Sequence, residues 1–246
     1  MKTVTLFGID IKYKIEDTGK PKVLFIHGYE SSSIFVNSLL ELERNYDIVA
    51  LDLPGNGKTE FIGDLSIEFF AEVVKEFIFE LNLKDIKIVG HSMGGAIAMF
   101  ISDLPEVKKI ILVNALNPYS YSEAKKIVNP VHVIKNVINR GKDKNAKEKA
   151  SRFFEFALDY KNKNRFLVKK QLLNEEWQAN DLYKKYILGA SKSTIIYSEN
   201  DQIIMPSSNI KTANSFKIPK TTIKSLDHSP ISKNPKKFNA ILKKLI

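Results

Sequence analysis

Four short apolar runs recur along the first half of the chain: Val23-Leu24-Phe25-Ile26, Tyr46-Asp47-Ile48-Val49-Ala50-Leu51, Ile86-Lys87-Ile88-Val89 and Lys109-Ile110-Ile111-Leu112-Val113. Runs this short, apolar on successive residues, suit strands buried on both faces. Between them lie helical patterns. Ser66 to Leu81 repeats apolar residues at helical spacing (Phe69, Phe70, Val73, Val74, Phe77, Ile78), and Ser31 to Ser33 read as the cap of a helix running to about Arg44. Residues 3–7 and 9–16 form an opening hairpin about Gly8. The alternation predicts an α/β fold, a mostly parallel sheet with helices on both faces.

The rhythm stops between 119 and 190, a stretch that reads as helices carrying Ile127, Val131, Ile134, Phe153, Phe154, Phe156, Leu158, Leu172 and Trp177. It resumes at Thr194-Ile195-Ile196-Tyr197 and continues with a helix near Ser207 to Asn214, a strand near Thr221 to Lys224, a loop Ser225 to Pro230 and a last helix from about Pro235. The expected organisation is one core domain, 1–118 with 191–246, and an inserted helical lid, 119–190, over the crevice at the sheet's C-terminal edge. Trp177 and the insertion's phenylalanines read as lid core rather than substrate contacts.

The sharpest motif is Gly90-His91-Ser92-Met93-Gly94-Gly95, between a β-branched run and the helical Ala96 to Ile101. Strand, tight turn and helix would hold the Ser92 hydroxyl clear of the sheet, the flanking glycines sparing the turn its Cβ collisions. A serine needs a base. Of the four histidines, His91 points away from Ser92, His132 falls in the insertion, and His27 ends a strand ahead of Gly28. His228 remains, in a loop between Asp227 and Ser229-Pro230. The base in turn needs an orienting acid. Asp201, in the loop after Thr194 to Tyr197, is preferred, with Glu199 in reserve.

Composition sets the remaining bounds. The net charge is +10, yet the clusters Lys142 to Lys149 and Lys161 to Lys170 are interrupted as solvated helix faces are, with no binding module, so no nucleic-acid partner is expected. No run is long enough for an integral membrane segment, and Gly8 and Asp10 interrupt the start before a signal-type apolar stretch forms. With no cysteine to require an oxidising compartment, the expected location is cytoplasmic.

Taken together, His27-Gly28, Asp52-Leu53-Pro54-Gly55-Asn56-Gly57, the Ser92 motif, Asp201 with Pro206 behind it, and His228-Ser229-Pro230 resemble the α/β-hydrolase superfamily, its serine-nucleophile, esterase/lipase-like branch with a helical lid. The chain order Ser92, Asp201, His228 is that family's order. The resemblance implies Ser92 as nucleophile, His228 as general base and acid, and Asp201 as its orienting partner. It also implies an oxyanion hole of backbone N–H groups from Met93 and Tyr29, with His27 and Gly28 shaping the oxyanion loop and Asp52 fixing the turn after its strand. Two positions depart from the family. Asp227 stands where glycine often precedes the histidine, and its charge would favour a protonated His228; Ser198 replaces a glycine near the acid loop.

The resulting expectation is a serine hydrolase acting on small-molecule esters of small to medium acyl chains, with no cofactor and no metal. Thioesterase, amidase and carbon-carbon-bond hydrolase chemistry stay open, as does a receptor-like protein of little turnover. Oligomeric state is not readable.

Overall fold

The computed structural model describes residues 1–127, 163–224 and 227–246. Eight strands form one sheet: β1 Lys2–Leu6, β2 Ile9–Ile15, β3 Lys22–Ile26, β4 Asp47–Leu51, β5 Ile86–His91, β6 Val107–Val113, β7 Ser193–Ser198 and β8 Lys220–Ile223. Their spatial order is β1-β2-β4-β3-β5-β6-β7-β8, with β2 antiparallel to β1 and β4 and all other pairs parallel. The loops that follow β3 to β8 therefore open on one edge of the sheet, where ligands of parallel sheets bind.

Helices labelled here are α1 Ile67–Glu80, α2 Met93–Phe100, α3 Ser120–Ile127, α4 Lys163–Leu172, α5 Tyr183–Gly189, α6 Pro206–Phe216 and α7 Pro235–Leu245. On one face of the sheet, Phe70, Val74, Phe77 and Ile78 of α1 and Ile97 of α2 pack with Leu24, Ile88 and Ile110. On the other, Leu39, Phe238 and Leu242 pack with Phe25, Ile48 and Ile111. The central strands are thus covered twice, which is why their sequences show no polar alternation. Ser66 caps α1, its Oγ accepting the Phe69 N–H at 3.0 Å.

One expected element differs. Instead of a helix reaching Arg44, there is a 3₁₀ turn Ser33–Val36 and a single α-turn Asn37–Leu40. The Arg44 guanidinium donates to the Leu39 carbonyl and to Glu16 of the opening hairpin, and Leu42 N–H closes back on Leu39. The carbonyl that would continue the helix is engaged by these tertiary and turn contacts instead.

Residues 128–162 of the expected insertion, with His132, Val131, Ile134, Phe153, Phe154, Phe156 and Leu158, lie outside the described residues. The described remainder is helical and docks on the core. Gln171 accepts the Ile67 N–H at 2.9 Å and donates to Glu68 at 2.9 and 2.7 Å. Trp177 donates to Glu68 at 2.9 Å and stacks on Phe100 with centroids 5.9 Å apart, so it packs against α1 and α2.

The tightest packing is at the start of α2. A Cβ on Gly94 would stand 2.1 Å from the Ile26 carbonyl oxygen, and one on Gly90 2.6 Å from the Gly94 carbonyl oxygen. Helix propensity alone predicts that Gly94→Ala stabilises by about 1 kcal/mol. The clash with backbone predicts instead a loss of roughly 3 kcal/mol, to be read from urea unfolding of the purified variant.

Candidate active site

Ser92 joins β5 to α2 with φ 54° and ψ −120°, an uncommon conformation for a residue with a side chain. Its N–H donates to Val113 at 3.1 Å and its carbonyl accepts from Gly95 and Leu116, each at 3.0 Å. These bonds pin the turn from α2 and from the segment after β6. The loop after β3 lies alongside: a Cβ on Gly28 would be 3.0 Å from Ser92 Cβ and 3.3 Å from His91 Nδ1. Met93 opens α2, so its N–H has no partner within the helix. Tyr29, Met93, Asn56, Leu65, Phe70 and Val168 line a small, mainly apolar crevice beside the turn.

Asp201 and His228, 27 residues apart, meet: imidazole Nδ1–H donates to Asp201 Oδ2 at 2.8 Å. The other carboxylate oxygen accepts the N–H groups of Ile203 at 2.8 Å and Ile204 at 3.0 Å. With its side chain fully buried, this carboxylate cannot rotate away without losing bonds that no water replaces. Glu199 is exposed, which leaves Asp201 as the histidine's partner. The Ser92 hydroxyl makes no hydrogen bond within the described residues, so its contact with His228 is not closed in this structure. The Ser92 backbone nevertheless directly follows His91, whose ring lies 4.9 Å from that of His228.

Several residues of the site escape sequence reasoning. His91, set aside as a base, is buried, and its Nε2–H donates to the His228 carbonyl at 2.7 Å. Asn114, at the end of β6 with φ 43°, reaches the same carbonyl at 3.0 Å through Nδ2. Ser198, the departure from the family's glycine, is the partner of Asn114: its N–H donates to Asn114 Oδ1 at 2.8 Å and its Oγ accepts from Nδ2 at 3.0 Å. No spacing rule marks an asparagine after a buried strand. The other departure, Asp227, is exposed; it accepts the Ser229 N–H at 3.0 Å and lies 3.9 Å from Lys233, so solvent and a cation temper its charge.

His27 and Asp52 hold loops. His27 Nδ1–H donates to the Gly28 carbonyl at 2.8 Å while Nε2 accepts the Leu53 N–H at 3.1 Å, which fixes the tautomer and joins the β3 and β4 loops. Asp52 accepts the Ser33 N–H at 2.6 Å and the Lys58 N–H at 2.8 Å. Among the described residues no cluster of His, Cys, Asp and Glu could hold a metal ion, and no helix is long and apolar enough to cross a membrane.

Comparison with known proteins fits this geometry. The family profile described as "alpha/beta hydrolase fold" matches residues 21–133. An esterase of Thermogutta terrifontis superposes with a TM-score of 0.64 over 99% of this chain and 97% of its own, at 19% identity. The chain has the α/β-hydrolase fold. A Mycoplasma genitalium relative that bears an esterase/lipase name is 26% identical over 95% of this chain and 91% of its own. A Bacillus anthracis bromoperoxidase also superposes, with a TM-score of 0.67 at 22% identity over 95% of this chain and 94% of its own. Likeness at these identities speaks for the fold, which hosts more than one chemistry.

In this fold both buried imidazoles beside the turn are held neutral. Burial pushes His27 down to about 4, against smaller opposing effects of the Gly28 carbonyl and Asp52. Burial pushes His91 down to about 3, the His228 ring acting in the same direction and the His228 carbonyl against it. A depressed histidine pKa means that the unfolded chain binds protons which the native state refuses. Stability contributed this way is full above about pH 6.5 and is lost as pH falls toward 4 for His27 and toward 3 for His91. Near pH 5 the pair should give the unfolding free energy a slope approaching about 2.7 kcal/mol per pH unit. Urea unfolding between pH 7 and 5 checks this, and His27→Gln should reduce the slope by about one proton.

Proposed function

We propose that this α/β hydrolase is a serine hydrolase cleaving carboxylic esters of small to medium acyl chains through an acyl-enzyme. The observation that carries the reading is the buried Asp201 carboxylate, fixed by two backbone N–H groups and bonded to His228 at 2.8 Å, beside a serine on a strained strand-to-helix turn. A carboxylate so placed holds the imidazole with Nδ1 protonated and Nε2 free to accept.

In the proposed reaction Ser92 Oγ attacks the ester carbonyl as His228 Nε2 takes its proton. The negative charge that develops on the carbonyl oxygen is met by the N–H groups of Met93 and Tyr29; donors fixed in advance are worth roughly 3 kcal/mol of barrier each. The imidazolium gives its proton to the departing alcohol. Water, deprotonated by the same nitrogen, then attacks the acyl-enzyme and releases the acid, and Ser92 regains its proton. Residues 119–190 are assigned as the lid, since Val168 of α4 lines the crevice beside Met93 and Tyr29. In this reading the acyl chain lies against the crevice, whose apolar lining gives chain-length preference.

A fluorophosphonate should label the folded protein, with the adduct mapped to the peptide holding Ser92, and Ser92→Ala should abolish both labelling and p-nitrophenyl ester hydrolysis. Absence of labelling would remove the nucleophile; labelling without turnover on an ester panel would support a receptor-like protein. Asp201→Asn should lower kcat by about 10⁴-fold, whereas Glu199→Gln should not change it. Acyl preference should move toward longer chains in Val168→Ala, measured as the ratio of kcat/KM for octanoyl over butyryl esters; a ratio equal to that of the parent would place the acyl chain elsewhere.

A further inference from the structure

We infer that Asn114 is a positioning residue: its single side-chain amide sets the acid loop and the base loop against each other, and so fixes the His228 imidazole on Asp201. The inference rests on the serine-hydrolase reading for its catalytic consequence, though not for its structural content.

His228 sits past the end of β8 at Ile223 and just before the short helix Pro230–Lys233, where no strand ladder holds the backbone. Its carbonyl instead accepts two buried donors, His91 Nε2–H at 2.7 Å and Asn114 Nδ2–H at 3.0 Å. The Asn114 amide also reaches the Asp227 carbonyl at 3.2 Å and Ser198 Oγ at 3.0 Å, and its oxygen accepts the Ser198 N–H at 2.8 Å. Ser198 ends β7, three residues before Asp201. One carboxamide therefore bridges the ends of β6 and β7 and the loop beyond β8. The neighbours also settle which way it points, because an N–H faces its oxygen and carbonyls face its nitrogen.

Asn114 is fully buried, so water does not replace these bonds when they are lost. Its φ of 43° favours residues that readily accept the left-handed region, above all glycine, asparagine and aspartate. Of these, only asparagine presents both the acceptor for Ser198 and the donors for Asp227 and His228. The imidazole–carboxylate bond spans two loops with no direct backbone pairing between the residues that bear it, and displacements of about 1 Å cost on the order of 100-fold in rate.

Two variants and two readouts test this. Asn114→Asp keeps the shape and the left-handed backbone but turns the donor into an acceptor; Asn114→Gly keeps the backbone and deletes the amide. In both, kcat for p-nitrophenyl butyrate should fall about 10- to 100-fold with KM little changed, since positioning acts on the chemical step. Independently of substrate, the His228 Nδ1–H proton should give a downfield, exchange-protected NMR signal in the parent, identified by its loss in His228→Gln, and this signal should broaden or vanish in both variants. An Asn114 that only filled space would leave the aspartate variant with parental kcat and an intact signal, and that result overturns the inference. If the aspartate variant fails to fold, the glycine variant decides by the same criteria. A parent protein that shows the signal, and loses it in the variants, while failing to label at Ser92 would retain the positioning role and refute the hydrolase reading.

Discussion

The first turn of α2 lies so close to β3 that no Cβ fits at Gly94, and much of the architecture at the sheet's C-terminal edge follows from that approach. Only with the helix drawn in this far does the chain reverse within one residue, at a serine whose φ is 54°. Such a backbone costs on the order of 1–3 kcal/mol and persists only where its surroundings over-determine it. Here they do, through the bonds from Ser92 to Val113, Gly95 and Leu116. The same approach sets the loop of His27 and Gly28 beside the serine.

The rest of the edge is a closed set of buried polar contacts with few net charges. His27 joins the β3 and β4 loops, Asp52 holds the turn after β4, and Asn114 joins the ends of β6 and β7 to the His228 loop. His27 and His91 stay neutral because burial makes their charged forms costly, so they act as fixed donors and acceptors rather than as titrating groups. This leaves Asp201 and His228 as the bonded acid and imidazole pair beside the serine. A network that ties this many loops together is stiff, and stiffness is what a reaction dependent on sub-ångström placement requires.

Much of this was legible in the sequence because it rests on local pattern. Buried parallel strands write themselves as unbroken apolar runs, and α1 shows its period plainly. The turn at Ser92 is marked by glycines whose necessity is steric. Asp201 and His228 could be chosen because loops after strands collect on one edge. What escaped has a common cause: it depends on contacts between distant segments. The helix expected to reach Arg44 ends at Leu40 because Arg44 bonds to Leu39 and to Glu16, a partner far away in the chain. Asn114, Ser198 and His91 form part of the site only because three strand ends and one loop converge. In sequence, Ser198 read as a departure and His91 as a histidine facing away.

The central claim is that Ser92 carries the acyl group between two half-reactions. It is tested most directly by mixing the protein with p-nitrophenyl acetate, quenching in acid within the first turnover, and locating covalent acetyl by peptide mass analysis. One acetyl group per chain is expected, on the peptide holding Ser92. Ester consumed with no acetylated intermediate, or acetyl found on another residue, would contradict it.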